Sequence, residues 1–313
     1  MHPTTPPSAG TPGFYGLGIA PTLLEIIEKL GFKTPTPIQH QAIPLAIEGK
    51  DMVGVAQTGT GKTLAFGIPM IQILSQAGPA GKAGGHAQGL ILLPTRELAL
   101  QVEEVLRKVG QSLGIRTAVI IGGTSMGPQV AALRRTPHVI IATPGRLWDH
   151  LGQRTLSLDR VRILVLDEAD RMLDMGFLPQ MLKILHALPK ERQTMLFSAT
   201  LSQEIMKIAG AHMKLPLRIE VAPQGTTADR VLQEVFVVRR ADKIRLLEKI
   251  LSEQRGSALV FSRTKFGAKR IVRSVKAMGH TVAEIHSNRS LNQRREALEG
   301  FKSGRYRVLV ATD

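Results

Sequence analysis

Lys62 and Thr63 close the run Ala56-Gln57-Thr58-Gly59-Thr60-Gly61-Lys62-Thr63. Between an apolar strand and a helix, such a run can wrap phosphate groups with successive backbone N–H groups, helped by the helix N-terminus. Gly59 and Gly61 supply the φ freedom and close approach that wrapping needs. Lys62 would reach the phosphates, and the Thr63 hydroxyl would bind magnesium. The generic pattern begins with glycine, whereas Ala56 stands here. Downstream, Asp167-Glu168-Ala169-Asp170 follows the apolar run Ile163–Leu166. Ligands of open α/β sheets bind at the carboxyl ends of strands. There, Asp167 would hold magnesium through water, and Glu168 would orient and deprotonate an attacking water. Alone, an acidic quartet is a solvated turn; behind a phosphate loop it becomes a candidate hydrolytic centre.

Other segments offer polar groups at helix starts. Gly31 to Gln39 reads Gly-Phe-Lys-Thr-Pro-Thr-Pro-Ile-Gln. The Gln39 amide could pair bidentately with adenine N6 and N7, and Phe32 could stack on the ring. The same residues also read as a capping box, with Thr36 as N-cap, Pro37 at N1 and Gln39 at N3. Both readings stand. Pro94-Thr95-Arg96 and Thr143-Pro144-Gly145-Arg146 each follow an apolar run and open a helix. A helix N-terminus with a Thr hydroxyl and an Arg can bind phosphate. Ordinary N-capping by Thr95 and Thr143 explains the same pattern.

The elements that must position these groups are legible as short Val/Ile/Leu runs alternating with helical stretches. Asp51–Val55, Leu90–Leu93, Thr117–Ile121, His138–Ala142, Ile163–Leu166 and Thr194–Phe197 suit strands buried on both faces of a parallel sheet. Arg96–Leu113 has helical spacing, with Leu98, Val102, Val105 and Val109 on one face. After a Pro-Gln-Gly-Thr-Thr-Ala-Asp stretch the rhythm restarts with an expected strand at Val235–Val238 and a helix at Asp242–Gln254. Ala258–Ser262, Lys265–Met278, Val282–Ile285, Leu291–Lys302 and Val308–Ala311 continue it. The fold class is therefore α/β, with doubly wound parallel sheets. The divisions are a flexible tail at 1–13, a first domain at 14–222, a linker at 223–229 and a second domain at 230–313.

Composition narrows the partners. The net charge of +16 points toward a polyanion. Residues 224–313 carry 19 Lys/Arg against 9 Asp/Glu, a balance of +10, while the remainder of the chain carries only +6. Aromatics make up 4% of the chain, so contacts to a nucleic-acid backbone would dominate over base stacking. The absence of cysteine rules out disulfides, thiolate catalysis and Cys-ligated metals. No apolar stretch is long enough for a membrane helix, and Met1 to Gly13 has neither the basic start nor the apolar run of a signal peptide, so a soluble cytoplasmic protein is expected.

Taken in order, these motifs resemble those of the DEAD-box ATP-dependent RNA helicases, most closely the bacterial RhlE-type group. The resemblance runs from residue 14 to residue 313. It implies two RecA-like domains, with ATP and Mg2+ as ligands, RNA as partner and a monomeric state. It also implies RNA-stimulated hydrolysis coupled to local, non-processive separation of short duplexes. Phe14 matches the family's isolated aromatic, and residues 14–40 match its adenine-recognition element. Gly122-Gly123 joins Pro94, Thr95, Arg96, Thr143, Gly145 and Arg146 among the RNA contacts. Ser198 and Thr200, in Ser198-Ala199-Thr200, would link the Asp170 region to domain closure. In the second domain Arg263 and Thr312 would touch RNA and Asp313 the nucleotide. Where many relatives have a glutamine, this chain has Leu291, although Arg294 is kept. The family's arginine finger is expected after Asp313, so the second domain reads as truncated. On that reading the chain itself is inactive or nearly so, and the alternative is a non-catalytic ATP- and RNA-binding fragment.

Overall fold

A computed structural model describes residues 13–76, 86–221 and 231–312. Nearly all of the expected tail, the whole linker at 223–229 and Asp313 lie outside these residues. The chain divides into two compact units, Met1–Thr227 and Ala228–Asp313.

The first unit is built on seven parallel strands: β1 (Met52–Val55), β2 (Gly89–Leu92), β3 (Thr117–Ile120), β4 (Val139–Ala142), β5 (Ile163–Leu166), β6 (Gln193–Ser198) and β7 (Leu217–Glu220). Their order across the sheet is β3-β4-β2-β5-β6-β1-β7. Every residue of the five inner strands is buried, as expected of apolar runs sandwiched between helical layers. The edge strands differ: in β3 alternate residues are half-buried, and in β7 only Ile219 is buried. The flanking helices are α1 (Pro21–Lys29), α2 (Pro37–Ile47), α3 (Lys62–Gln76), α4 (Arg96–Gly110), α5 (Met126–Arg134), α6 (Pro144–Gly152), α7 (Ala169–Asp174), α8 (Leu178–Ala187) and α9 (Gln203–His212). The helical pattern of Arg96–Leu113 ends early: α4 stops at Gly110, and a 3₁₀ turn over Gln111–Leu113 closes on left-handed Gly114.

The second unit holds α10 (Lys243–Glu253), β8 (Ala258–Phe261), α11 (Lys265–Ala277), β9 (Val282–Ile285), α12 (Leu291–Lys302) and β10 (Val308–Ala311). Its three strands are parallel, in the order β8-β10-β9. Leu251, Ala268, Val275, Val308 and Val310 form its core. The strand expected at Val235–Val238 does not form. Those residues have no regular structure, and Val235 and Val237 are 92% and 99% exposed. An apolar run becomes a strand only where a neighbour completes its hydrogen-bond ladder, and none of β8–β10 pairs with it. Both units are of the α/β class with parallel sheets expected of the chain.

Candidate functional site

Sheet order explains which motifs meet. β5, β6 and β1 are neighbours, so the segments that follow them share one stretch of the carboxyl edge. The loop after β1 is anchored by its Ala56 N–H, which donates to the Ser198 carbonyl oxygen at the end of β6 (3.0 Å). Gly59 and Gly61 both take left-handed φ, +87° and +91°. At Gly61 an added Cβ would also meet the Gln39 amide, which would have to move aside and give up its place in the loop. Lys62 opens α3 and is buried. Its Nζ donates to the Ala56 carbonyl oxygen (3.2 Å) and lies 3.6 Å from Asp167 Oδ1. Gln57, Thr58 and Gly59 face outward, with Thr60 Oγ1 donating to Gln57 O (2.8 Å).

Asp167 and Glu168 leave β5 against this loop. Burial pushes the Asp167 carboxyl up to about 6, with Glu168 raising it further and Lys62 opposing. Asp167 Oδ1 accepts from the Glu168 N–H (3.0 Å). Glu168 is left-handed, φ 53° and ψ 50°, a costly conformation for a residue other than glycine. Its carboxylate accepts from Thr58 Oγ1 (3.1 Å) and from the Arg171 guanidinium (3.3 Å). Asp170 Oδ2 accepts from Ala199 N–H (3.1 Å), Thr200 N–H (3.0 Å) and Thr200 Oγ1 (3.1 Å). Ser198 Oγ in turn donates to Thr200 O (2.7 Å). The β5 and β6 loops are thus tied by one carboxylate.

Gln39 bonds at both ends of its amide. Its Oε1 accepts from the Thr36 N–H (2.9 Å), the helix-start bond, while its Nε2 donates to Gly61 O (3.0 Å) and so reaches the phosphate-loop segment. One N–H and one lone pair of the amide remain by count for another ligand. Phe14 is enclosed in the core and Phe32 is 38% exposed, so of the two only Phe32 offers an open ring face.

A second stretch of the same edge follows the neighbours β3, β4 and β2. Thr95 does cap α4, accepting from Leu98 N–H (3.3 Å), whereas Thr143 makes no side-chain cap on α6. The Arg96 guanidinium packs so closely on Gly122 and left-handed Gly123 that a Cβ at Gly123 would collide with it. Arg146 Nη1 donates to Thr124 O (2.9 Å), with Asp149 3.5 Å from its Nε. Pro94 and Thr143 are buried, and Gly145 is half-buried at the start of α6. Arg96, Gly123 and Arg146 therefore converge on one loop.

In the second unit, Arg263 follows β8 and Thr312 follows β10, adjacent strands in register at Phe261 and Ala311. Arg263 is exposed, and the Thr312 N–H donates to Ile285 O (3.1 Å). Leu291 begins α12, where Ser290 and Gln293 form a reciprocal capping box.

Two residues at these sites escaped the sequence reading. Arg171 was visible only as an i+3 partner of Glu168 on a short helix. Gln129, a polar residue closed inside the first unit, had no motif to announce it. Among the described residues no cluster of three or more His, Asp or Glu could hold a metal, and no helix is long and apolar enough to cross a membrane.

Known proteins resemble this chain over most of its length. Residues 36–208 match the DEAD/DEAH box helicase family and residues 242–313 the helicase conserved C-terminal domain. The ATP-dependent rRNA helicase RRP3 of Candida albicans is 44% identical over 306 residues, 96% of this chain and 55% of that protein. The DEAD-box ATP-dependent RNA helicase CshA of Bacillus licheniformis is 41% identical over 301 residues, 96% of this chain and 61% of that protein. The chain thus spans little more than half the length of these relatives. The solved structure of S. cerevisiae Dbp5 bound to RNA and ADP BeF3 matches with TM-score 0.82 and 30% identity, covering 96% of this chain and 75% of that one. With two RecA-like sheets and these matches, the chain belongs to the DEAD/DEAH box helicase family.

Proposed function

We propose that this protein is an RNA-stimulated ATPase that separates short RNA duplexes locally and without long translocation. The observation that supports this most is the β5-β6-β1 edge, where a buried lysine, two carboxylates and the Asp170–Thr200 tie stand around one glycine-rich loop. The backbone N–H groups of residues 56–63 wrap the triphosphate of ATP, and Lys62 leaves the Ala56 carbonyl to meet the β- and γ-phosphates. Glu168 orients the attacking water and takes its proton. Gln39 recognises adenine with its remaining donor and acceptor, and Phe32 covers the ring.

Magnesium fits the residues present: a carboxylate buried enough to be pushed up to about 6 lacks sufficient positive charge nearby. Asp167, through water, and the Thr63 hydroxyl would hold it, in keeping with an ion that takes few protein ligands and keeps its waters. When bound, it neutralises charge on the phosphate oxygens.

Arg96, the Gly122–Gly123 backbone, Thr95, Thr143 and Arg146 hold RNA phosphates, and Arg263 and Thr312 extend the contact on the second domain. The domains are assigned to 14–222 and 230–313, joined by 223–229, in a cytoplasmic monomer. The finer RhlE-type grouping is carried by motif resemblance alone. Equilibrium binding tests the whole reading. Labelled ATP, but not GTP, should bind, and a short single-stranded RNA should tighten ATP binding as ATP tightens RNA binding. Equal affinity for GTP, or independence of the two ligands, overturns it.

A further inference from the structure

The loop that carries Gly122 and Gly123 leaves β3 at a sheet edge, with Gly123, Thr124 and Ser125 exposed. A loop so placed would sample many shapes, yet this one is held from beneath by a single buried side chain. Gln129, on α5, is 6% exposed. Its Oε1 accepts from the Ile121 N–H (3.2 Å), and its Nε2 faces Ile121 O (3.0 Å), Thr124 Oγ1 (2.8 Å) and Ser125 O (3.2 Å). The amide orientation is fixed by these partners: an N–H donor lies on one side and carbonyl oxygens on the other.

Gln129 is itself held. His150, fully buried on α6, points Nε2 at Gln129 Oε1 (3.4 Å) and Nδ1 at Thr155 Oγ1 (2.7 Å). Because Oε1 can only accept, Nε2 must carry the hydrogen, so Nδ1 accepts from the Thr155 hydroxyl. Burial, seconded by Arg146, keeps this imidazole below its ordinary pKa and hence neutral, as the relay requires. Thr155 lines a cavity of about 670 Å³ beside Trp148 and Leu151, away from the exposed loop. One polar chain, Thr155 to His150 to Gln129, therefore runs from that cavity wall to the loop under Arg96 and Arg146.

We propose that Gln129 is a positioning residue for RNA binding: it sets the shape of the Gly122–Gly123 loop, and His150 and Thr155 set Gln129. The inference rests on the reading of Arg96, Gly122–Gly123 and Arg146 as RNA contacts. Gln129 touches no RNA, so it acts only through the loop.

The test is the affinity of the purified chain for a short fluorescent single-stranded RNA, measured beside its affinity for a labelled ATP analogue and its melting curve. Arg146→Ala tests the underlying reading, and its failure to weaken RNA binding would remove the premise. Gln129→Leu keeps the size of the side chain and removes every bond to the loop. RNA affinity should fall about tenfold, the loss expected when buried partners are left unsatisfied, while the nucleotide affinity holds. Thr155→Val should cost RNA affinity about two- to threefold, and Thr155→Ser, which keeps the hydroxyl, should restore it. If Arg146→Ala weakens RNA binding and Gln129→Leu does not, or if Gln129→Leu lowers RNA and nucleotide affinity alike, the positioning role is wrong. Should Gln129→Leu not fold, the Thr155 pair decides: equal RNA affinity in the folded Val and Ser variants rejects the proposal.

Discussion

The carboxyl edge of the first sheet carries two sites built from the same parts and finished differently. Each uses three adjacent strands, β5-β6-β1 in one and β3-β4-β2 in the other, and each ends its loops on helix N-termini. On the first, charge is sealed in: the side chains of Lys62 and Asp167 are 6% and 8% exposed and answer one another. On the second, the arginines keep access to water and are steadied by backbone, Arg96 on Gly123 and Arg146 on Thr124 O. Sealed charges act strongly on one another and can move protons and stabilise changing charge. Charges left at the surface attract a polyanion weakly at each point and add up along it. On the proposed function, one scaffold thus supplies a reactive half and a holding half.

The contrast can be broken hardest at Glu168. In a chain extended past Asp313 to supply the arginine finger, Glu168→Gln keeps the shape and loses the base, so RNA-stimulated phosphate release should drop by about 10²-fold or more while ATP and RNA still bind. In the 313-residue chain, where hydrolysis is expected near background, it should change little. Unchanged turnover in the extended chain would mean that the sealed half does not do the chemistry. Next comes Gly123→Ala, whose Cβ meets both an unfavourable φ and the Arg96 guanidinium. About 1–2 kcal/mol of left-handed strain predicts a loss of RNA affinity of up to about tenfold, with ATP affinity unaltered. A comparable loss of ATP binding would show that the halves are not separable. Smaller still, Arg96→Ala should lower the slope of log affinity against log salt by about 1, the signature of one phosphate contact. An unaltered slope would take Arg96 out of the RNA path.

The mildest effect concerns pH. Burial foremost holds His138, His150 and His212 below the ordinary value of 6.5. The unfolded chain takes up protons on these residues as pH falls through 6.5, and the folded chain resists them. Their contribution to stability is therefore complete above 6.5 and declines below it. Melting temperatures across pH 5.5 to 8 should fall on the acid side, and less so in a variant lacking one of these imidazoles. A stability that rises on acidification through this range would contradict the assignment.

Legibility followed burial. The five inner strands could be read because burial on both faces demands unbroken apolar runs. β7, Leu-Arg-Ile-Glu, escaped because an edge strand buries only Ile219 and its sequence looks like a loop. Val235–Val238 erred the other way: apolar content announced a strand, but pairing is decided by neighbours. The phosphate loop and the Asp167–Asp170 quartet were readable since each is contiguous and answers a local chemical need. That their strands lie side by side was not, because sheet order is a matter of crossovers between distant segments. Gln39 shows a third case: the helix-start bond read from its spacing is present at one end of the amide, while the bond from its other end to Gly61 O was not legible. Gln129 stayed hidden because its partners are backbone groups, which every residue possesses.

Glu168 holds a backbone shape that glycine or asparagine would adopt at lower cost. Relieving it by Glu168→Gly should raise thermal stability unless the lost bonds to Thr58 and Arg171 offset the gain. A library of variants sorted by heat resistance alone would then drift toward residues that cannot act as a base, and one sorted by turnover would return to glutamate. Position 168 is where those two sortings part, so thermostabilising substitutions for this protein are best drawn from elsewhere in the chain.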